Sequence, residues 1–144
     1  MSPRQAVVVT AAGTIAPEGV PCDLASISPK LAHSTPDEAT AGKAWVEKHE
    51  CLRLQPDVLR AWCSKHDFQL KFVIASEADV LEVKAVIASI GIEIPPEKVL
   101  LMPEGITQEA LKARQMLLVD ICKREGWRYS PRLHIDLFGN KRGT

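Results

Sequence analysis

A hydroxyl group and an ammonium group flank a proline in the sequence Ser28, Pro29, Lys30. The proline ring fixes its backbone φ angle, so both polar groups lie at one turn, directly after the apolar run Leu24 to Ser28. A hydroxyl beside a fixed cation could bind a carboxylate or a ribose. A capped turn with a solvated lysine is the alternative interpretation of the same residues.

A second candidate site lies at the end of another apolar run, where a proline and a glutamate follow the apolar residues. It consists of Leu101, Met102, Pro103 and Glu104. Glu104 can accept hydrogen bonds from two donors at once, as a ribose or an amino group would offer. Its charge would also complement the dipole of a helix that begins near Thr107. The two roles are compatible with each other.

The C-terminal stretch from Trp127 predicts one strand that runs into a polar, basic tail. Apolar and polar residues alternate from Leu133 to Leu137, as in a half-buried strand, and glycine and asparagine then end the pattern. The candidate residues for binding an anionic substrate are Arg132, His134, Lys141 and Arg142. Arginine can pair a carboxylate through two parallel hydrogen bonds. The alternatives are a solvated tail and, for the histidine, an ordinary position at the rim.

Lys71 lies in the middle of the alternating run from Phe68 to Ile74. A long cation is unusual in such a strand unless its ammonium reaches an acid or a ligand. A side chain that extends along the sheet to reach solvent explains the residue equally well. The sequence leaves both interpretations open.

Four cysteines are spread along the chain, and no two of them lie within ten positions of each other. A [4Fe-4S] cluster that leaves one iron open for a cofactor needs three closely spaced thiolates. The chain therefore carries no motif for such a cluster, and no metal ligands are predicted. Dispersed cysteines indicate reduced thiols, so we expect a cytoplasmic protein.

The elements that must position these residues alternate between strand and helix patterns. Short apolar runs predict strands at Ala6 to Thr10, Leu24 to Ser28, Phe68 to Ile74 and Val99 to Met102. Periodic apolar residues predict helices from Pro56 to His66, from Ser76 to Gly91 and from Thr107 to Gly126. Residues 31 to 42 predict a mobile loop that can cap a helix. Long crossovers favour parallel pairing, which places the candidate sites on one rim.

Three details of these elements can be compared with the structure. The first strand is β-branched and is expected to be buried on both faces. Ser76 is expected to cap its helix, whose inward residues would be Val80, Leu81, Val83, Val86, Ile87 and Ile90. The inward residues of the next helix would be Leu111, Met116, Leu117, Leu118, Ile121 and Cys122.

Length and composition predict one domain over residues 1 to 144. The chain is 46% hydrophobic, which is enough to build a core. Lysine plus arginine equals aspartate plus glutamate at 18 each, which argues against nucleic acid or a membrane surface as a partner. No apolar run approaches the ~20 residues that span a bilayer, and the N-terminus does not resemble a signal peptide.

Three segments, Cys22 to Lys30, Leu100 to Thr107 and the C-terminal tail, together resemble one family. They look like the C-terminal part of the 7-carboxy-7-deazaguanine synthases, which are radical S-adenosylmethionine enzymes of queuosine biosynthesis. The resemblance extends from about Val7 to Thr144. It implies an α/β fold that forms the C-terminal part of an incomplete (β/α) barrel, a single truncated domain without the cluster-binding half.

The resemblance also implies a ligand for each candidate site. Ser28, Pro29 and Lys30 would contact S-adenosylmethionine, and the segment from Leu101 to Glu104 would line its adenine pocket. The cations of the tail would meet 6-carboxy-5,6,7,8-tetrahydropterin, which the family converts to 7-carboxy-7-deazaguanine by a radical ring contraction that releases ammonia. The full-length enzymes use a [4Fe-4S] cluster and magnesium and look dimeric.

One segment departs from the family. Its members commonly carry Glu-Thr where this chain has Thr10 and Ala11, so a polar contact to cofactor or substrate is expected to be lost, whereas Gly13 and Thr14 still fit a tight turn. Three hypotheses follow. The chain is a fragment that is inactive alone, a subunit of a split enzyme whose partner docks on the strand at Ala6 to Thr10, or a non-enzymatic module that binds S-adenosylmethionine or a pterin, or that oligomerises.

Overall fold

A computed structural model describes residues 5–141 of the chain. Within them the strands are β1 (Val8–Ala11), β2 (Leu24–Ile27), β3 (Phe68–Ile74), β4 (Val99–Pro103) and β5 (Arg128–Tyr129). All of these strands pair in parallel, and their order across the sheet is the order along the chain. The predicted α/β class with parallel strands is confirmed, and sequential parallel strands are consistent with part of a (β/α) barrel.

The helices of the same region are α1 (Glu38–Ala41), α2 (Lys43–Leu52), α3 (Pro56–Lys65), α4 (Asp79–Ile90), α5 (Gln108–Glu125) and α6 (Leu133–Phe138). Several predicted ends are confirmed. Pro56 begins α3, Thr107 caps α5 by accepting a hydrogen bond from the Ala110 amide, and Gly126 ends α5 with a left-handed φ of 73°. Between residues 5 and 141 no helix combines the length and apolar character needed to cross a bilayer.

One face of the sheet carries the hydrophobic core. Side chains at alternate strand positions, among them Ile27, Leu70, Phe72, Ile74 and Leu101, are completely buried. They pack against inward residues of α3, α4 and α5, such as Leu59, Val83 and Leu118. The two-residue period of a strand and the 3.6-residue period of a helix bring these apolar sets together.

The opposite face of the sheet is more polar, and we call it the open face. The strand register aligns Thr10 with Ser26 and Ser26 with Gln69 on this face, and it aligns Lys71 with Leu100 and Leu100 with Arg128. The Gln69 amide donates a hydrogen bond of 2.8 Å to the Ser26 hydroxyl. Most of these side chains are half-buried or exposed. A ligand or another chain segment can therefore approach this side of the sheet.

The first strand is less covered than its β-branched sequence predicted. Its side chains alternate between exposed and half-buried, and Val8 is 57% exposed. Burial on both faces is therefore wrong for β1. The reason is its place at the end of the strand order, where it pairs with β2 on one side. A short apolar run indicates a strand but does not reveal how many layers cover it.

The C-terminal segment also differs from the prediction. Residues 128 and 129 form a short strand, but Leu133–Phe138 is a helix and not a continuation of that strand. Of its three alternating apolar residues only Ile135 is buried, whereas Leu133 and Leu137 are 60% and 63% exposed. Alternation over five residues was too short to distinguish a strand from a helix with one buried position.

Two predictions for the inner faces of helices are wrong in detail. Leu81 of α4 is 75% exposed and Met116 of α5 is 64% exposed, although each belongs to an apolar run. Ser76 does not cap α4. Instead, the Asp79 carboxylate accepts hydrogen bonds of 2.7 and 3.0 Å from the amides of Ala75 and Ser76, because the helix begins three residues later than predicted.

The segment between β2 and α3 is more regular than the mobile loop that its small polar residues predicted. A short 3-10 helix covers Ala32–Ser34, and Asp37 caps α1 by accepting a hydrogen bond from the Ala39 amide. The ten-residue helix α2 was missed, because its apolar residues do not form a continuous stripe and it buries no side chain completely. The helix is held by polar contacts, which a hydrophobic pattern does not reveal.

Candidate functional site

A cleft of about 410 Å³ lies at the carboxyl edge of the sheet, where β2, β3 and β4 end. Its lining residues are Pro29, Lys30, Leu31, His33, Ser34, His49, Val73 and Glu104. The structure thus brings together two segments that are far apart in the sequence, the Ser28 to Lys30 turn and the end of the Leu101 to Glu104 segment. We call this the edge cleft.

Hydrogen bonds to the backbone position the Ser28 to Lys30 turn. The Ser28 amide donates to the Ala11 carbonyl at 2.8 Å, which extends the pairing of β1 and β2 by one residue. Arg53, which directly follows α2, donates to the Lys30 carbonyl at 3.1 Å. Since Pro29 is itself buried, the turn is fixed from both ends while the Lys30 side chain remains half-exposed.

Arg53 also organises the carboxylates around this turn. Its guanidinium contacts Glu50 and Glu82 at 2.9 Å each, and Glu82 in turn accepts a hydrogen bond of 3.0 Å from the Ala32 amide. Burial alone would lower the pKa of Arg53, but the hydrogen bonds that its guanidinium donates to Glu50 and Glu82 outweigh burial and raise the pKa. Arg53 therefore remains charged and links α2, α4 and the turn.

An arginine of α5 holds the other wall of the edge cleft. The Glu104 amide donates to the Ile74 carbonyl at 2.9 Å, which joins the ends of β3 and β4. Arg114 donates to the carbonyls of Ala75 at 3.1 Å and Glu104 at 3.2 Å. The same guanidinium lies 3.7 Å from the Glu104 carboxylate, which is 45% exposed. Glu104 consequently has a fixed backbone and an accessible carboxylate.

Two histidines reach the edge cleft from the segment between β2 and α3. The Nε2 atom of His33 lies 2.9 Å from the Val73 carbonyl oxygen and 3.8 Å from the Asp79 carboxylate. His49 of α2 lies with its Nδ1 atom 3.3 Å from the Thr35 hydroxyl. A neutral imidazole can donate one proton and accept another, so these residues offer groups for binding or for proton transfer.

The C-terminal candidates do not line the edge cleft. Arg132 lines a separate cleft of about 240 Å³ with Pro103, Tyr129 and Asp136, and it donates a hydrogen bond of 2.9 Å to the Gly105 carbonyl. Its Nε atom is buried and has no hydrogen-bond partner among the described residues. His134 and Lys141 are exposed, and Arg142 lies outside the residues that the structure describes.

The remaining candidates are divided between the two faces of the sheet. Leu101 is completely buried in the core, so only its backbone is available, and its carbonyl accepts a hydrogen bond of 2.8 Å from the Ser130 amide. Met102 and Lys71 are half-buried, and the register places them on the open face. Within residues 5 to 141, Lys71 makes no ion pair, which leaves the ligand and solvent interpretations of this lysine open.

The cysteines are poorly suited to holding a cluster. Cys51 is exposed, whereas Cys63 and Cys122 are buried in the core. Burial raises the pKa of Cys63 to about 11 and also raises the pKa of Cys122, which disfavours the thiolate that binds iron. In the described part of the chain no three histidine, cysteine or acidic side chains are grouped as a metal site. The described cysteines therefore do not form the set of three thiolates that a [4Fe-4S] cluster needs.

Sequence reasoning did not find four residues that shape the edge cleft, namely His33, His49, Arg53 and Arg114. His33 lies in the segment from 31 to 42 that was predicted as a loop, and His49 and Arg53 lie between that segment and α3, where no element was predicted. Arg114 is an ordinary polar residue in a helical pattern. The only signal was an excess of charge near the carboxyl ends of strands, and it does not indicate which backbone carbonyl an arginine will contact.

Sequential parallel strands, with polar turns at their carboxyl ends, are consistent with part of a (β/α) barrel. A curated 7-carboxy-7-deazaguanine synthase of Halobacterium salinarum is 39% identical over 127 residues, covering 83% of this chain and 49% of that protein. The corresponding synthase of Rhodopirellula baltica is 37% identical over 139 residues, covering 96% of this chain and 52% of that protein. No family model matches the sequence, and no solved structure matches the fold.

The chain is homologous to the 7-carboxy-7-deazaguanine synthases, and the resemblance predicted from its sequence is confirmed. A third relative with the same name, from Pyrobaculum aerophilum, is 30% identical over 127 residues and agrees with this assignment. The chain spans about half the length of the curated relatives it matches, which is consistent with a C-terminal portion.

Proposed function

We propose that this chain provides the S-adenosylmethionine-contacting edge of a 7-carboxy-7-deazaguanine synthase and is inactive without a cluster-binding half. The reaction would be the radical ring contraction of 6-carboxy-5,6,7,8-tetrahydropterin to 7-carboxy-7-deazaguanine, in the cytoplasm. The supporting observation is that Lys30 and Glu104, chosen separately from the sequence, line the same edge cleft. Homology to proteins of that name supplies the choice of reaction.

The chemistry of the edge cleft suits S-adenosylmethionine. Its volume of about 410 Å³ lies within the roughly 300–1,000 Å³ of small-molecule pockets. The Lys30 ammonium would pair with the carboxylate of the methionine end, and the Ser28 hydroxyl would hydrogen-bond to it or to the ribose. The Glu104 carboxylate would accept hydrogen bonds from ribose hydroxyls, with Pro29 providing an apolar contact. Leu101, Met102 and Pro103 lie outside the lining of the edge cleft, so their proposed contact with the adenine would be made beside it.

Binding and orientation are the tasks that these residues would perform. When bound, S-adenosylmethionine supplies the radical chemistry, which depends on a cluster that this chain cannot hold. Arg53 and Arg114 fix the two walls of the edge cleft, so that Lys30 and Glu104 present opposite charges from opposite sides. His33 and His49 would exchange protons with a ligand in the cleft.

For the carboxylated pterin, Arg132 is the best-supported contact of the C-terminal segment. Its Nε atom is buried without a partner, and a carboxylate would satisfy it. His134, Lys141 and Arg142 remain proposed contacts whose positions relative to the substrate depend on the rest of the enzyme. The loss of an acid at Thr10 predicts weaker binding on the β1 side of the sheet.

A chimaeric enzyme tests the proposed activity. This chain would replace the matching region of the Rhodopirellula baltica synthase, which retains its own N-terminal half. We expect formation of 7-carboxy-7-deazaguanine, and we expect Lys30→Ala to raise the KM for S-adenosylmethionine about tenfold, because a charge-assisted contact is worth about 1.5–3 kcal/mol. Lys43→Ala, an exposed lysine of α2 outside the edge cleft, is the matched control.

Two results would contradict the proposal. A folded chimaera that binds its cluster but forms no product would remove the assigned activity. Equal KM values for Lys30→Ala and Lys43→Ala would remove Lys30 from the cofactor site while leaving the activity itself intact. A direct titration of the isolated chain with S-adenosylmethionine would show whether the edge cleft binds without the other half.

A subunit of a split enzyme is the second candidate, and the position of β1 favours it. This strand lies at the end of the strand order with Val8 57% exposed. An unpaired strand edge can pair with another chain. Co-purification of a protein that carries three clustered cysteines would support this candidate, whereas a chain that purifies alone from its source would contradict it.

A further inference from the structure

Helix α2 carries two large apolar residues, Trp45 and Leu52, two turns apart on one face. Lys48 and His49 lie between them on the same face, so the four positions are spaced i, i+3, i+4 and i+7. This is the spacing of a helix face that packs against a core. Trp45 and Leu52 are nevertheless 56% and 47% exposed, so this face of α2 is not closely packed in the structure.

A groove of about 220 Å³ separates this face of α2 from the turn that follows β1. We call it the α2 groove. Its lining residues are Ala12, Thr14, Lys30, Trp45, Lys48, His49, Leu52 and Arg53. The surface that they expose to the groove is almost wholly apolar, so the charged residues contribute mainly their aliphatic stems. Burial of both walls against each other would remove this apolar surface from water.

The wall opposite the helix, formed by residues 12 to 15, is fixed to the core. A Cβ atom at Gly13 would lie 2.3 Å from Leu59 Cδ2, so the turn is packed tightly on α3. The indole nitrogen of Trp62 donates a hydrogen bond of 2.7 Å to the Ile15 carbonyl and ties the same wall to α3. Because this wall is held in place, a movement that closes the α2 groove has to come from α2.

The attachment of α2 to the rest of the chain permits such a movement. None of its side chains is buried. The helix begins directly after Gly42, whose φ is 83° and whose surroundings are open. Beyond the other end, the Arg53 guanidinium donates to the Lys30 carbonyl at 3.1 Å and to the Glu82 carboxylate at 2.9 Å. A glycine and a long side chain can keep these connections while the helix turns, so they provide a hinge at each end.

We propose that α2 is a lid that closes the α2 groove by seating Trp45 and Leu52 against the turn that follows β1. The position in this structure is the open one. Closure removes apolar surface on both walls from water, and this gain drives the movement. Thr35, whose hydroxyl contacts Glu50 of the helix, moves with the lid, since it lies in the segment between the 3-10 helix and α1.

Closure of the lid affects the edge cleft through Lys30 and His49, which line both depressions. With α2 seated, the Lys30 side chain is covered on the groove side, and less water reaches an ion pair between its ammonium and an anionic group in the edge cleft. Such a pair is stronger when water is excluded. An occupied edge cleft and a closed lid therefore stabilise each other. This coupling rests on the function proposed above, whereas the closure itself does not.

Fluorine NMR of the 144-residue chain labelled with 5-fluorotryptophan tests the closure. The Trp45→Phe variant assigns the resonance of Trp45, and the shift of that resonance between H2O and D2O measures its exposure to solvent. Trimethylamine N-oxide favours buried surface, so it should reduce the solvent shift of Trp45 by about half. Trp62, which is already buried, should not respond. Sedimentation at each concentration of the osmolyte measures whether the chain associates.

A side chain that fills the α2 groove should hold the lid open. Ala12→Phe adds a ring to the fixed wall, so the Trp45 resonance should lose its response to the osmolyte. Ala85→Phe, at an exposed position of α4, is the matched control and should respond like the unmodified chain. Thr14→Phe places the same ring at an exposed position of the same wall and provides a second test of the groove. Thermal melting confirms that each variant is folded.

Titration with S-adenosylmethionine tests the coupling between the lid and the edge cleft. The ligand should lower the solvent shift of Trp45, and Ala12→Phe should raise its dissociation constant about fivefold, although Ala12 does not line the edge cleft. Glu104→Gln changes a residue that lines the edge cleft and not the α2 groove. This variant should weaken binding of S-adenosylmethionine and leave the response of Trp45 to the osmolyte unchanged.

Each of three results would overturn the lid. The first is a solvent shift of Trp45 that does not change with the osmolyte. The second is the same response in the folded Ala12→Phe and Ala85→Phe variants. The third is loss of exposure only when the chain dimerises, which would show that a second copy covers Trp45. Closure by the osmolyte without any binding of S-adenosylmethionine would support the lid and contradict the proposed function, so the two failures are distinguishable.

Discussion

The two faces of the sheet are stabilised in different ways, although both are built from the same strands. On the helix-covered face, Phe72, Leu101 and their neighbours are completely buried, and the packing is apolar. On the open face, Gln69, Lys71 and Arg128 carry polar groups that need a partner or solvent. The strands therefore have one side that stabilises the fold, and β1, β3 and β5 carry accessible side chains on the other side, where Ser26 and Leu100 are themselves buried.

The carboxyl edge, where the candidate sites lie, connects these two faces. Its turns are fixed by groups that come from the helices of the covered side, such as Arg114 of α5 and Leu59 of α3. The Lys30 and Glu104 side chains stay accessible, while their backbones are held by Arg53 and Arg114. Stable packing on one face thus determines the geometry of a polar site at the edge.

The largest difference between the faces should appear at two adjacent residues of β3. Phe72→Ala removes a ring that is completely buried on the covered face, and it should lower the free energy of unfolding by about 3–5 kcal/mol. Lys71→Ala, the half-buried neighbour on the open face, should change it by less than about 1 kcal/mol. Denaturant unfolding with urea measures both values. Similar losses in the two variants would contradict the assignment of the faces.

Substitution of Gly13 tests how firmly the helix-covered face of the sheet holds the turn at its carboxyl edge. Gly13→Ala should destabilise the chain by about 2–4 kcal/mol, because the added methyl group meets Leu59 Cδ2 and the φ of 77° is unfavourable for alanine. Gly19 has a similar φ of 72° but open space around it, so Gly19→Ala should cost only about 1 kcal/mol. Thermal melting of the two variants separates the steric cost from the backbone cost. Equal melting temperatures would show that the Leu59 side chain moves aside for the added methyl group without a loss of stability.

Arg114 tests the polar connection between α5 and the edge. Arg114→Met removes donors to the carbonyls of Ala75 and Glu104, so the free energy of unfolding should fall by about 1–3 kcal/mol. Hydrogen exchange of the Glu104 amide, which bonds to Ile74, should accelerate. Lys123→Met, an exposed site on the same helix, is the control. Unchanged exchange at Glu104 would mean that the strand ends hold without the arginine.

The cysteines give the smallest but most specific test of the covered face. Cys51 is exposed and should react with iodoacetamide at pH 8, whereas Cys63, whose pKa is raised to about 11 by burial, should have about one thiolate in a thousand at that pH. The raised pKa also means that stability is retained below about pH 8.5 and falls as the pH rises towards 11. Mass spectrometry of partially labelled protein measures the order of reaction. Labelling of Cys63 before Cys51 would show that the core is open.

Much of this fold could be predicted where a hydrophobic period was long. Strand β3 and helices α3 and α5 matched their predicted positions, because their apolar residues repeat over at least two turns or six positions. The prediction failed where the pattern was short or polar. Leu133–Phe138 had one buried residue and became a helix, and α2 depends on contacts of Arg53 that no pattern records.

The residues of the candidate site also divide into those that the sequence indicated and those that only the structure revealed. The turn at Pro29 and the acid at Glu104 could be chosen from the sequence, because proline and a strand end limit the local geometry. Arg53 and Arg114 could not, since each acts by reaching backbone carbonyls that are distant in the chain.

The sequence by itself determined the α/β class, the parallel pairing of the strands and the resemblance to deazaguanine synthases, since these follow from local periodicity and from residue identity. The tertiary structure alone decided which side of each strand is open, which segments share the edge cleft, and which lysines remain unpaired. The physical reason is the separation along the sequence of the residues that interact. Periodicity reflects interactions between residues a few positions apart, whereas a binding site is formed by side chains that only folding brings within hydrogen-bonding distance.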